Sequence, residues 1–87
     1  TDITAVIFRL DRVPYIDQSG LYTLEEIIFD LRKEGIEVLL VGLQEQPRDM
    51  LEAVDIIPDL VEEEDVFDTI GESFTYLRTK IKGRLSA

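Results

Sequence analysis

Residues 14–20 read PYIDQSG, Pro14 to Gly20, and stand between two segments of different periodicity. Upstream, Ile3-Thr4-Ala5-Val6-Ile7-Phe8-Arg9-Leu10 is short, β-branched and nearly continuously apolar, the composition of a strand buried on both faces. Downstream, Leu21, Leu24, Ile27, Ile28 and Leu31 recur at three- and four-residue steps, with Glu25, Glu26, Asp30, Arg32 and Lys33 between them. That spacing predicts an amphipathic helix running from Ser19 and stopped by Gly35 in the C′ position. The quoted stretch is therefore a strand-to-helix junction, and Ser19 stands where the helix begins.

The same reading extends along the chain. Ile36 to Val41 forms a second buried strand ending at Gly42, and strand–helix–strand implies a right-handed parallel crossover. Pro47 suits the first turn of a short helix carrying Met50, Leu51 and Val54, which Pro58 ends. Leu60-Val61, extended by Ile57, is expected as a third strand. The acidic run Glu62 to Asp65 then leads into a last helix with Asp65 as N-cap and Phe67, Ile70, Phe74, Leu77 and Ile81 as its apolar stripe. Asp65 and Asp68 at its start and Arg78, Lys80 and Lys82 at its end complement the helix dipole. Phe8 and Phe29 are expected in the core. The order is β-α-β-α-β-α, an α/β fold with a mostly parallel sheet. Three parallel strands leave two open edges, so an upstream segment or another chain is expected to cover one.

Composition removes several functions. The 87 residues form one small domain, 1–87, with 45% hydrophobic residues. Cysteine and histidine are both absent, which excludes disulfides, thiolate chemistry and imidazole catalysis or ligation. The net charge of −10 includes no basic stripe that would neutralise a phosphate backbone, so nucleic acid is not an expected partner. No apolar run approaches the roughly 20 residues that span a bilayer, and this segment is expected to be soluble. There is no G-x-S-x-G elbow and no base to activate Ser19, so the chain does not read as an enzyme. No cofactor or metal is expected.

Three stretches together resemble a STAS domain, the fold shared by anti-sigma-factor antagonists and the cytoplasmic tails of SulP-type anion transporters. They are Val13 to Leu24, with its D-x-S-G element, Gly35 to Gly42, and Met50 to Asp55 followed by Val66-Phe67-Asp68-Thr69-Ile70. Members of that family normally begin with two further strands and a helix before the strand that here starts at Ile3. The resemblance thus implies that residues 1–87 are the later portion of a STAS domain.

The resemblance also maps Ser19 onto the serine that a partner kinase phosphorylates in the antagonists, within a motif loop of Asp17, Gln18, Ser19 and Gly20. A phosphoserine at a helix N-terminus would meet unpaired N–H groups and a favourable dipole, although Asp17 beside it opposes the charge. The alternative is structural. The Ser19 hydroxyl would cap the helix by accepting from the N–H of Leu21 or Tyr22, worth about 1 kcal/mol against alanine.

Loops after parallel strands share one rim, where ligands bind. That rim is expected to carry Asp11, Tyr15, Asp17, Glu45, Glu62, Glu63 and Glu64. The carboxylates could remain an ordinary solvated edge, hold Mg²⁺ through oxygens, or offer an acidic docking face to a basic partner. Nucleotide binding is not expected, because no glycine-rich loop is present and the rim repels phosphate.

Two functions follow from the resemblance. In the first, the chain is the non-catalytic regulatory and interaction domain of a SulP-type sulfate or related anion transporter. It would lie on the cytoplasmic face of the plasma membrane, attached to its own upstream transmembrane domain, and would contact a second copy or a cytosolic regulatory protein. In the second, it is a freestanding anti-sigma-factor antagonist controlled by phosphorylation of Ser19. Tyr15 and the bulky Gln18, in place of the usual D-S-S-G, favour the first.

Overall fold

The β-branched run at the start of the chain pairs with the second apolar run as two parallel strands. In the computed structural model, which describes the backbone of residues 4–86 and the side chains of residues 4–80, β1 is Ala5–Arg9 and β2 is Glu37–Val41, in register from Ala5 opposite Glu37 to Arg9 opposite Val41. Helix α1, Gln18–Lys33, joins them. It ends as the sequence predicts. Gly35 takes φ +77°, its N–H bonds Arg32 C=O at 3.0 Å, and the Ile36 N–H bonds Leu31 C=O at 3.0 Å, the paired bonds of a Schellman closure.

Alternation along β2 sorts the layers. Val38 and Leu40 point to the main core, with Leu21 and Ile28 of α1 and Leu51 of α2 (Glu45–Ala53). Glu37 and Leu39 point to the opposite face, where α3 (Ile70–Ser86) lies and its Lys80 reaches Glu37. The central strand is buried from Val38 to Val41, as its unbroken apolar composition requires.

The third strand differs from expectation. β3 is Val66–Phe67, parallel to β2 with Val66 opposite Leu40 and Phe67 opposite Val41, in the sheet order β1-β2-β3. Leu60 instead closes a turn, Ile56–Leu60, kinked at Ile57 (φ −104°, ψ 120°), that follows Asp55 in the left-handed region at φ +62°, and Val61 is buried beside it. A brief apolar run suits a buried turn as well as a strand, and here Ile56, Ile57 and Val61 fill the core under α1.

That shift moves the last helix. Asp65 is not its N-cap but closes a short 3₁₀ turn, Glu63–Asp65, with only 8% of its surface exposed. The cap is Thr69, whose Oγ1 accepts from the Glu72 N–H at 3.2 Å while Glu72 Oε1 accepts from the Thr69 N–H at 3.0 Å, a reciprocal capping box. The expected stripe was phased on Phe67, which belongs to a strand. With the helix starting at Ile70, Ser73 is fully buried and Phe74 is 51% exposed. Phe29 is also 51% exposed, because Ile28, one position earlier, takes the core-facing direction. Phe8 is half-buried. Ile3 and the side chains of Ile81 and Lys82 lie outside the described residues.

Candidate partner-binding rim

The C-terminal ends of the strands carry three loops, and the first, Leu10 to Asp17, is locked to the second, Gly42 to Gln44. The Leu10 N–H bonds Val41 C=O at 2.8 Å, and the Val13 N–H turns back onto Leu10 C=O at 3.0 Å. Gly42, at φ +74°, passes so close that a Cβ there would sit 2.7 Å from Asp11 Cβ. Gln44 Nε2 donates to Asp11 C=O at 2.9 Å. Gln46 grips the Ile16 backbone at both ends, Oε1 accepting its N–H at 2.8 Å and Nε2 donating to its C=O at 3.1 Å. Such paired bonds to an otherwise unpartnered loop backbone fix its path.

The junction into α1 is capped by Asp17, not by Ser19. Asp17 Oδ1 accepts the Gly20 N–H at 2.7 Å, and the helix begins at Gln18. Ser19 therefore lies inside the first turn with its side chain exposed, and its carbonyl accepts from Thr23 Oγ1 at 3.0 Å. Both residue types favour a cap, and the extended backbone at Asp17 (φ −86°, ψ 175°) decided between them. Gln18 lies over the next turn, its Nε2 3.1 Å from Tyr22 Oη.

Tyr15, 67% exposed, lies on the locked loop, as do exposed Asp11 and Asp17. Glu45 is exposed in the first turn of α2, on the favourable side of its dipole. These residues and the motif loop Asp17 to Gly20 share the rim. Glu62, Glu63 and Glu64 do not, since they precede β3 instead of following a strand. Glu63 is held by Arg48, whose Nη2 lies 2.6 Å from Oε1 and 2.7 Å from Oε2, and this pairing raises the Arg48 pKa against the cost of burial. The loop that does follow β3 is Asp68-Thr69, and the Gly42 N–H ties it in through Phe67 C=O at 2.9 Å. Among the described residues, no group of three or more acidic side chains is arranged to hold a metal ion.

Behind the sheet, a polar network joins α3 to β2. Lys80 Nζ pairs with Glu37 and donates to Tyr76 Oη at 3.1 Å, and the Tyr76 ring packs tilted by 47° against Phe67 at 5.4 Å between ring centres. Burial pushes the nearby Asp65 carboxyl above its ordinary pKa; the Tyr76 hydroxyl opposes this, while the Glu37 charge adds to it. The Lys80 hydrogen bond lowers the Tyr76 pKa, but burial and Asp65 outweigh it and the net direction is up.

Gln44, Gln46 and the tight approach of Gly42 carry no local signal in the sequence, because their partners lie some thirty residues away. Only Gly42 at a strand end hinted at a special position.

The STAS domain family model matches residues 1–73. The fold superimposes on a sulfate transporter family protein from Wolinella succinogenes with a TM-score of 0.82 and 32% sequence identity, over 91% of this chain and 64% of that one. Sulfate permease family protein 3 of Caenorhabditis elegans is 29% identical over 68 residues, which is 78% of this chain and 9% of the relative. The chain thus spans just under two thirds of the structural relative and a small part of the permease. On the family match and the shared architecture, it belongs to the STAS domain family.

Proposed function

We propose that this STAS domain is the non-catalytic regulatory and interaction module of a SulP-type transporter of sulfate or a related anion. It works on the cytoplasmic face of the membrane, joined to an upstream transmembrane domain and contacting a second copy or a cytosolic protein. The observation that carries the reading is the locked rim: Tyr15, Asp17 and Gln18 are held outward on a loop fastened by Gln44 and Gln46. A pre-organised surface of this kind suits protein contact, since little ordering entropy is lost on docking. The likeness to transporter-family proteins supplies the context. Among the described residues, no helix is long and apolar enough to cross a membrane, so the anion pathway would lie in another segment.

In this reading two strands and a helix precede residue 1 and complete the sheet beyond β1, whose residues Val6 to Phe8 are only half-buried. The antagonist reading draws on the exposed Ser19. Against it stands Asp17, whose carboxylate already occupies the N–H that a Ser19 phosphate would share and would repel the dianion.

Fractionation of source cells, probed with an antibody to this domain, tests the proposal. An integral-membrane band several times heavier than this chain is expected. A small soluble band, with phosphate on Ser19 by intact mass, would replace the transporter with the antagonist.

A further inference from the structure

Between α1 and the Ile56–Leu60 turn runs a groove of about 600 Å³. Its apolar floor is Tyr22 and Phe29 of α1 with Val54 and Leu60 across from them, and Tyr22 is 53% exposed. Its walls carry four carboxylates, Glu25, Glu26, Asp55 and Asp59, and no lysine or arginine is among the lining residues. The groove is preformed, because buried Ile28 beneath α1 and buried Ile56 and Ile57 beneath the turn pack in one core.

We infer that this groove docks a cationic amphipathic helix of a partner protein. Tyr22, Glu25, Glu26 and Phe29 stand at i, i+3, i+4 and i+7, so apolar and acidic contacts share one stripe about 10 Å long, matching roughly two turns of helix. Apolar side chains of the occupant fill the floor between Tyr22, Phe29 and Val54. Its lysines or arginines meet the four carboxylates. Phe29 is 51% exposed and Tyr22 53%, so both aromatic rings offer surface to the occupant. An acidic or purely polar segment would bury its own charges against like charges or leave the floor wet. The inference does not rest on the transporter reading.

The test is a titration of the ¹⁵N-labelled chain, followed by amide shifts, with a Leu/Lys amphipathic helical peptide of about 18 residues and its Leu/Glu counterpart. The Leu/Lys peptide is expected to shift amides around Tyr22, Phe29, Val54 and Asp59, and the Leu/Glu peptide to shift none. Glu25→Gln with Glu26→Gln and Asp59→Asn should weaken binding about tenfold or more, whereas Glu34→Gln with Glu64→Gln and Asp49→Asn should cost less than about threefold. Tyr22→Ser with Phe29→Ser should also weaken it about tenfold; should that pair fail to fold, the two charge sets decide. Shifts spread over the whole acidic surface, with equal loss from both charge sets, would overturn the inference. So would groove amides that move with protein concentration alone, which would make the occupant a second copy.

Discussion

Replacing Gly42 with alanine strikes the contact that fixes the rim. Two costs add. At φ +74° an L-residue is disfavoured by about 1–2 kcal/mol. The new methyl would also stand 2.7 Å from Asp11 Cβ, 3.1 Å from Asp11 Cα and 3.2 Å from its nitrogen, so backbone must shift, at about 1–3 kcal/mol. The sum, about 2–5 kcal/mol, is a large share of the 5–15 kcal/mol that holds a small domain together. Gly35→Ala is the control. Its φ is +77°, yet nothing lies within 4 Å of the added carbon, so it bears the backbone cost alone. Urea unfolding of the two variants isolates the close approach: Gly42→Ala should be the less stable by about 1–3 kcal/mol, or about 4–24 °C in Tm for a domain of this size. Equal losses from both glycines would refute the claim that the first and second rim loops are in hard contact.

Other consequences can be measured in the same way. Asp17→Ala removes the observed cap and should cost about 1 kcal/mol, while Ser19→Ala should stay within about 0.5 kcal/mol, an order that denaturant melts would reverse if serine were the cap. Gln46→Leu leaves the Ile16 N–H and C=O without partners at about 1–3 kcal/mol, and hydrogen exchange at the Ile16 amide should accelerate at least about tenfold. Asp65 has a folded pKa above its unfolded value near 3.8, so its ionised form costs stability at neutral pH. The contribution is most favourable below the unfolded value and is lost as pH rises through the elevated folded one. Asp65→Asn should accordingly be more stable than the parent at pH 7, with the gap closing on acidification; a gap independent of pH would remove Asp65 as its source.

Much of this architecture is written locally. The strand at Ala5–Arg9, the helix that Gly35 ends and the buried Glu37–Val41 strand all follow from periodicity and one left-handed glycine, because long elements repeat their signal over many residues. The acidic balance, the missing histidine and cysteine, and the D-x-S-G junction likewise belong to the sequence alone. What the chain does between residues 55 and 70 was decided by packing. Leu60-Val61 and Val66-Phe67 are both short apolar pairs, and only the vacancy beside Leu40 and Val41 selects the second as the strand. That choice set the helix cap at Thr69 and turned Phe74 outward and Ser73 inward. The rim shows the same division: its residue types are legible, but the Gln44 and Gln46 clamps join positions some thirty residues apart. Such contacts exist only once the parallel crossover has brought two loops to one end of the sheet, which is why the tertiary structure, and not the local sequence, determines which side chains the rim presents.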